Sequence, residues 1–529
     1  MSYQNYQKII CNSNVAQIPS LLQGFNRRWF AHNCEAIYLC FNTDGVVEAL
    51  EEAISLYGQN VKIKGGGHCY EDFVFGNSTL AIIDISPMNE VGLDPYRGFY
   101  LGSGGTNWSS FEKLFRDYGK VLPGGSCYSV GLGGHISGGG YGLLSRKHGL
   151  TVDWLSGVEI VVKDRADQPA YAIYVSSEST DDEGDLYWSQ RGGGGGNFGV
   201  ITRYYFRDLP QAPQKAYISS YGFPWAELDK EKLRDLLKWF ADFSSQKDNC
   251  NQFGLFALNH FANEEIQLTI QTVFDKEERD KAQDQIDKQG KALKEIITKS
   301  KLGQGSRLRP ATRPMYGHGS YFLPQVATVW RQNNDNLPCT TEYTFYEAVQ
   351  NLNSSGPNRR GKYKSAYMRK PFPDEQVDTI FEHLRLNPFN DSPGDMQASL
   401  LQVDTYGGEV NKMATDATAV AHRSSILKLQ YQTYWTSKEN DDFHLKWIRN
   451  FYKDMYGAYG GTPNPEEDPY QNVNGCYYSY PDVDLNDAVG LRGAMQLYFL
   501  DNFERLTRTK KRWDPNNFFN HTQSIPLEY

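Results

Sequence analysis

Two glycine-rich segments of the sequence each carry a side chain that can form a covalent bond. The first reads VKIKGGGHCY at residues 61–70, and the second reads PGGSCYSVGLGGHISGGGYG at residues 123–142. Consecutive glycines let a backbone approach a ligand closely and turn its N–H groups toward phosphate oxygens. His68 is nucleophilic when its imidazole is neutral, and Cys127 is a candidate nucleophile or anchor. The pattern indicates either two attachment points for a bound molecule or, more plainly, a structural histidine and a small buried thiol.

The segments around these residues predict an α+β domain over residues 1–210. Apolar spacing along residues 46–57 predicts a helix capped by Thr43 or Asp44, and a second helix is predicted at Trp108–Asp117. Short runs rich in β-branched and aromatic residues predict strands at Val61–Lys64, Leu80–Ile85, Phe99–Gly102, Val158–Val162, Tyr171–Val175 and Val200–Phe206.

A second α+β domain is predicted at residues 211–476, after a proline-rich stretch. Long polar helices are predicted at Lys230–Phe243 and Lys276–Ser300. Strands are predicted between and after them, at Phe253–Ala262, Ile266–Phe274, Ser399–Asp404 and Ile426–Trp435. The tail, residues 477–529, is predicted to contain one helix at Gly493–Thr509.

Composition excludes several classes of protein. The net charge is -9 and no basic run exceeds Lys510–Arg512, so we expect no nucleic-acid partner. No apolar run is long enough to span a membrane and the first residues lack a secretory h-region, which favours a cytoplasmic protein. The eight cysteines form no CxxC pair, so no metal site is predicted, while a disulfide from Cys11 to Cys34 or Cys40 stays open. The 35 tyrosines fit a broad, ring-lined pocket.

The motifs together resemble a known family of flavoproteins. The GGH motif, the loop C-x-x-V-G-x-G-G-H-x-x-G-G-G-Y-G, RGGGGGNFG at 191–199, YPDVDL at 480–485 and DPNNFFNHTQSIP at 514–526 all match it. The chain is similar, nearly from end to end, to the berberine-bridge-enzyme-like FAD-linked oxidases of the vanillyl-alcohol-oxidase superfamily, which have a PCMH-type FAD-binding domain. It looks nearest to the bacterial natural-product oxidases, such as aclacinomycin oxidoreductase and the glycopeptide hexose oxidases.

The resemblance implies a two-domain fold and a covalently held cofactor. Residues 1–210 and the tail 477–529 would bind FAD, and residues 211–476 would form a substrate domain with an antiparallel sheet flanked by helices. In that family the histidine binds the flavin 8α-methyl and the cysteine binds C6, which implies FAD attached at His68 and Cys127. The other residues expected along the cofactor are Lys64, Gly65, Gly66, Gly67, Cys69, Ser126, Val130, Gly131, Gly134, His135, Gly138, Tyr141, Gly142, Asn197, Gly199, Val200 and Ser479.

Oxidation of an alcohol also requires a base within reach of the hydroxyl proton. The family's proposed base falls on Tyr477, and Tyr478 is the alternative because a slip of one residue along an extended strand would exchange the two. Ser479 departs from the family, which usually has asparagine there. Tyr406 matches a second active-site tyrosine of the family, or is an ordinary aromatic before a turn. His135 is interpreted as a structural histidine rather than a catalyst.

The segment Gly194–Gly199 satisfies the pattern GxGxxG, but its context differs from a dinucleotide site. It leads into a predicted strand, whereas the dinucleotide fingerprint follows a strand and begins a helix. A nicotinamide-dependent dehydrogenase is therefore disfavoured.

The expected reaction is oxidation of a hydroxyl group to a carbonyl, with O2 reduced to hydrogen peroxide. The expected substrate is a small molecule, either a glycosylated or polycyclic secondary metabolite or an oligosaccharide. Two other functions stay open: oxidative ring closure on the same scaffold, and a non-catalytic flavin- or glycan-binding protein.

Overall fold

The computed structural model describes residues 4–11, 18–299, 308–312, 339–352, 356–389 and 393–529. Within these ranges three β-sheets and the helices packed on them form the mixed α+β fold that the sequence predicts.

A four-stranded sheet supports the first glycine-rich segment. Its strands, in the order β1-β2-β4-β3, are β1 (Tyr6–Ile10), β2 (Ala36–Cys40), β3 (Val61–Lys64) and β4 (Ala81–Asp84). Strand β1 is antiparallel to β2, whereas β4 runs parallel to both of its neighbours. Helix α1 (Ile18–Leu21) precedes β2, and helix α2 (Thr43–Tyr57) connects β2 to β3. The cap of α2 is Asn42, whose side chain accepts from the N–H of Gly45 at 2.8 Å, so the predicted caps Thr43 and Asp44 were wrong by one or two residues.

A five-stranded antiparallel sheet follows in the chain. In the order β5-β6-β9-β7-β8 its strands are β5 (Val91–Asp94), β6 (Gly98–Gly102), β7 (Gly157–Val162), β8 (Tyr171–Ser176) and β9 (Val200–Phe206). The connections hold α3 (Asn107–Tyr118), α4 (Leu132–Ser137), α5 (Ser145–His148), α6 (Thr151–Trp154) and α7 (Asp181–Ser189).

A seven-stranded antiparallel sheet forms the middle of the chain. In the order β13-β10-β12-β11-β15-β16-β14 its strands are β10 (Lys215–Pro224), β11 (Gln252–Asn259), β12 (Glu265–Phe274), β13 (Thr340–Thr344), β14 (Arg360–Met368), β15 (Ser399–Thr405) and β16 (Leu427–Trp435). The helices of this part are α8 (Lys230–Ser245), α9 (Arg279–Lys299), α10 (Phe345–Leu352), α11 (Asp374–His383) and α12 (Asp441–Met455). Ser300, the predicted end of the charged helix, lies outside the described residues. None of the helices in the described ranges is both long and apolar enough to cross a membrane.

The tail contains two helices rather than the one that the sequence predicted at Gly493–Thr509. They are α13 (Asp484–Phe499), kinked at Gly490, and α14 (Phe503–Trp513), and a short 3-10 turn, Leu500–Asn502, separates them. Leu500 adopts φ 48°, a left-handed value outside the α-helical region, and α13 ends at the residue before it. The prediction of a continuous helix was therefore wrong, because apolar periodicity does not report a single residue that leaves the helical region.

A buried cluster of charges ties the tail and the first glycine-rich segment to the seven-stranded sheet. Lys362 of β14 forms ion pairs with Glu71 and, at 2.7 Å, with Asp482. Lys364, two residues along the same strand, pairs with Asp482 at 2.7 Å and with Asp484 at 2.8 Å. Pairing of this kind offsets the cost of burying these charges. The domain limits expected at residues 210 and 476 stay predictions.

Candidate active site

A cavity of about 260 Å³ lies where the three sheets and the tail meet. Strand β3 contributes Ile63, β9 contributes Ile201, β11 contributes Leu255 and the tail contributes His521. Most of the predicted cofactor residues line this cavity: Gly65, Gly66, Gly67, His68, Cys69, Ser126, Cys127, Val130, Gly131, Gly134, His135, Tyr141, Gly142, Gly199 and Ser479. Tyr477 and Tyr478 line it as well. The structure thus brings the two glycine-rich segments and the tail tyrosines to one place.

Five of the predicted site residues are not in the wall: Lys64, Gly138, Asn197, Val200 and Tyr406. Lys64 forms an ion pair with Asp84 at 2.6 Å. A Cβ on Gly138 would overlap Ser479 Oγ and lie 3.2 Å from Ser479 Cβ, so this glycine admits the tail close to α4. Val200 is buried opposite Val161 in the five-stranded sheet.

The first glycine-rich segment leaves β3 at Lys64 and turns toward the cavity. Gly67 has φ 70°, a conformation that favours glycine. The ring of the next residue, His68, stacks on Phe25 with centroids 5.0 Å apart, and its Nε2 lies 2.8 Å from Ser129 Oγ. Burial lowers the pKa of His68 to about 4. The imidazole is therefore neutral near pH 7 and keeps one nitrogen lone pair.

The second segment lies against the first through two glycines. A Cβ built on Gly66 would fall 2.7 Å from Gly131 Cα, and a Cβ on Gly131 would fall 2.7 Å from Gly66 Cα. Such an approach excludes any side chain at either position. Cys127, four residues earlier, is 7% exposed, and burial raises its pKa to about 12. The contact between the glycines holds the loops that carry His68 and Cys127 together.

The wall leaves open space beside two of its glycines. A Cβ on Gly134 would meet no protein atom within 4 Å, and one on Gly65 would meet only the Ser103 carbonyl at 3.9 Å. These glycines therefore border open space rather than packed side chains. His135 also lines the cavity, and its Nε2 accepts a hydrogen bond from the N–H of Gly125 at 2.7 Å. That bond supports the structural interpretation of His135. The residues that line the open space fit the expected FAD.

Tyr477 faces the cavity beside a buried lysine that the sequence analysis did not single out. The Nζ atom of Lys428 lies 4.3 Å from the ring centroid of Tyr477, 4.1 Å from that of Tyr141 and 4.0 Å from that of Tyr480. Within the described residues neither the Lys428 ammonium nor the Tyr477 hydroxyl makes a hydrogen bond. Burial raises the pKa of Tyr477 to about 12. A cation over an aromatic ring attracts its electrons and stabilises a phenolate.

Strand register explains why the lysine lies there. Lys428 of β16 stands directly opposite Asp404 of β15 on one side and Tyr367 of β14 on the other. Asp404 in turn stands opposite Leu255 of β11, and both line the cavity. Burial lowers the pKa of Lys428 and raises that of Asp404, and the attraction between the two opposes both changes. Side chains on one face of a strand recur every second residue, so the alternation Lys428, Gln430, Gln432 in a buried strand was the signal for a polar face.

The two tail tyrosines point to different partners. Residues 477–480 form a turn closed by the bond from Tyr480 N–H to Tyr477 O at 3.0 Å, so the extended strand assumed from the sequence was wrong. The hydroxyl of Tyr478 lies 3.1 Å from Asn197 Nδ2 and donates to the Gln523 carbonyl at 3.2 Å. Tyr478 is thus held by hydrogen bonds, whereas the hydroxyl of Tyr477 is available to a ligand.

Tyr406 lies one layer behind the wall. Its ring is 5.4 Å from that of Tyr141 and 5.0 Å from that of Tyr367, and burial raises its pKa. Tyr141 separates it from the cavity and donates its hydroxyl hydrogen to the Thr405 carbonyl at 2.6 Å. Tyr406 therefore supports the wall through Tyr141.

The Gly194–Gly199 segment leads into β9, as the sequence predicted, and Gly195, Gly196 and Gly199 line the cavity. This part of the wall continues to His521 of the tail, whose ring stacks on Phe73 with centroids 4.0 Å apart. Neither Phe73 nor His521 was among the predicted contacts.

Among the residues that the structure describes, no three histidine, cysteine or carboxylate side chains gather as a metal site.

Comparisons with known proteins show similarity to FAD-binding oxidases. Residues 35–164 match the family model described as "FAD binding domain", and residues 476–526 match "Berberine and berberine like". Hexose oxidase of Chondrus crispus is 46% identical over 522 residues, covering 97% of this chain and 94% of that protein. Aclacinomycin-N/aclacinomycin-A oxidase of Streptomyces galilaeus is 31% identical over 523 residues, covering 95% and 87%.

A solved structure is similar over the same length. The glycopeptide hexose oxidase DBV29, crystallised in complex with teicoplanin, has a TM-score of 0.82 and 29% identity, covering 98% of this chain and 99% of that chain. The FAD-binding match contains His68 and Cys127, and the second match contains Tyr477.

Proposed function

The chain belongs to the berberine-bridge-enzyme-like family of FAD-dependent oxidoreductases, and on this basis we propose that it oxidises a sugar hydroxyl group to a carbonyl while FAD is held covalently by His68 and Cys127. O2 would accept the electrons and leave as hydrogen peroxide. The observation that carries the proposal is the convergence of the two loops and Tyr477 on one cavity, with Lys428 next to the Tyr477 ring.

Burial shifts the pKa values of the two proposed attachment residues in opposite directions. Burial keeps the imidazole of His68 neutral, so it is a competent nucleophile at neutral pH. The thiol of Cys127 stays protonated in the same range, because burial raises its pKa. Both side chains line the cavity, and the Gly66–Gly131 contact fixes one loop relative to the other. The chemistry that bound FAD supplies is acceptance of two electrons from the substrate carbon.

Tyr477 would take the hydroxyl proton of the substrate onto its phenolic oxygen. A buried tyrosine is a poor base unless a positive charge stabilises its anion, and Lys428 lies 4.3 Å from its ring centroid. Lys428 in turn is held opposite Asp404, which opposes loss of its charge. Tyr406 would act only by positioning Tyr141.

A sugar is the substrate class that the relatives and the cavity favour together. Two of the similar proteins are named hexose oxidases, one of them solved in complex with a glycopeptide. On the sheet face that closes the cavity, Asp404 lines the wall, and its carboxyl group matches a hydroxyl-rich ligand. The sugar would be free or carried on a glycosylated natural product.

The test combines one cofactor measurement with one turnover measurement. Acid-precipitated protein should stay yellow, and its intact mass should exceed that of the chain by one FAD. The His68→Ala and Cys127→Ala variants should each lose one of the two linkages. Turnover with a panel of hexoses, oligosaccharides and glycosylated natural products should yield a carbonyl product and one peroxide per substrate. White precipitate would refute the attachment, and a ring-closed product or no flavin reduction with any substrate would refute the reaction.

A further inference from the structure

Two thiols lie side by side at the start of the four-stranded sheet. Cys11 follows β1 and Cys34 precedes β2, and their Sγ atoms are 3.8 Å apart. The backbone continues the β1–β2 ladder at this point, because the N–H of Cys11 donates to the Glu35 carbonyl at 2.9 Å. The third nearby thiol, Cys40, instead contacts the carbonyls of Tyr38 and Gly45 at 3.6 Å. Of the two partners weighed for Cys11 from the sequence, only Cys34 is its neighbour.

The chain between these cysteines holds the loop that carries His68. The N–H of Phe25 donates to the Gly67 carbonyl at 2.9 Å, and the Phe25 ring stacks on His68. A Cβ on Gly24 would lie 2.7 Å from the ring of Phe75, so the segment is pressed against the far end of the same loop.

Two further side chains of this segment bind one carbonyl on the loop. Asn26 Nδ2 donates to the Tyr70 carbonyl at 2.5 Å, and Trp29 Nε1 donates to it at 3.1 Å. Asn26 also donates to the Gly361 carbonyl of β14 at 3.0 Å. The segment from Gly24 to Trp29 thus clamps the His68 loop between the four-stranded and seven-stranded sheets.

We propose that Cys11 and Cys34 form a reversible disulfide. This bond would hold the segment from Gly24 to Trp29 more firmly against the four-stranded sheet. The two thiols lose two protons and two electrons as the S–S bond forms, and one hydrogen peroxide takes them up to become two water molecules. Peroxide is the product of the proposed oxidase reaction, so this choice of oxidant rests on the proposed function, whereas the disulfide itself does not.

The geometry requires little rearrangement. A disulfide has a bond of about 2 Å, so the sulfurs must approach by less than a bond length each. The cysteines are 23 positions apart, and closing a loop of that length restricts the unfolded chain. The linked segment is the one that contacts Gly67, His68 and Tyr70. Oxidation should therefore reduce the motion of the His68 loop.

The experiment treats the flavin-loaded, full-length protein with hydrogen peroxide, blocks remaining thiols and maps the peptides by mass. We expect one linked pair, Cys11 with Cys34, lighter than the reduced pair by two hydrogens and restored by dithiothreitol. Oxidation should raise the midpoint of thermal unfolding by about 3 °C. It should also slow hydrogen exchange at residues 24–29, where the Phe25 amide reports the bond to Gly67.

Two variants separate the pair from general oxidation. Cys34→Ser should abolish both the linkage and the thermal shift, whereas Cys250→Ser, which changes a half-buried cysteine elsewhere, should leave both unchanged. An unlinked Cys11 after complete peroxide treatment, or a link to another cysteine, would overturn the proposal. A Cys11–Cys34 disulfide with unchanged hydrogen exchange at residues 24–29 would contradict its proposed effect on this segment. Either failure with normal sugar oxidation would leave the proposed function standing.

Discussion

Gly66 and Gly131 occupy the same small space from opposite sides, and neither has room for a methyl group. A Cβ on either would lie 2.7 Å from the Cα of the other. These two residues are the contact through which a loop from the four-stranded sheet meets a loop that precedes α4. Because His68 and Cys127 lie on those loops, the distance between these two proposed attachment points depends on this pair of glycines.

Gly131→Ala should therefore disturb both stability and cofactor attachment. The added methyl must push the loops apart, at a cost of about 1–3 kcal/mol. We expect a lower unfolding midpoint and a smaller fraction of chains with flavin bound at both residues, measured by calorimetry and peptide mass. Gly457→Ala is the matched control, since a Cβ there meets nothing within 4 Å. Equal behaviour of the two variants would contradict the role of the contact.

Tyr477→Phe should abolish most turnover without removing the flavin. A general base contributes about 10²–10⁴-fold, so kcat should fall within that range while the flavin spectrum stays that of the parent. Tyr406→Phe should cost less than about tenfold, because Tyr406 lies behind Tyr141 rather than in the wall. Stopped-flow reduction of the flavin by substrate separates the two. A larger loss from Tyr406→Phe would reassign the base.

Lys428→Met should move the pH dependence of flavin reduction upward. Removing the cation raises the pKa of Tyr477, so the acidic limb of the rate profile should shift to higher pH by about one unit. At pH 7 the rate should fall about tenfold. The surface variant Lys238→Met is the control. An unshifted profile with a uniformly lower rate would assign Lys428 to packing alone.

His422 should make the fold sensitive to acid. Burial lowers its pKa to about 3, so it is neutral in the folded chain and becomes protonated below about pH 6.5 only when the chain unfolds. Stability therefore falls as pH drops from 6.5, and one such histidine accounts for about 1.5 kcal/mol between pH 6.5 and 5. His422→Gln should reduce the loss over that interval, whereas His32→Gln, at an exposed site, should not. Denaturant unfolding at the two pH values measures both.

Much of the site was readable from local sequence because glycine has few structural substitutes. The runs at 65–67, 131–142 and 194–199 all border the cavity, and the strands Val61–Lys64 and Val200–Phe206 occur at the predicted residues. Lys428 and Asp404 could not be paired in advance, since their meeting depends on the register of two strands. Phe25 was missed for a similar reason: it contacts the His68 loop through the tertiary fold, and no local pattern marks it.

The cavity is completed by residues that are synthesised late. Phe519 and His521 line it, and the N–H of Ile525 donates to Asn197 Oδ1 at 3.0 Å beside it. A ribosome translating this chain has produced both proposed attachment residues almost four hundred codons before this last part of the wall. A chain that stops before residue 519 would therefore carry both proposed attachment residues and lack this part of the wall.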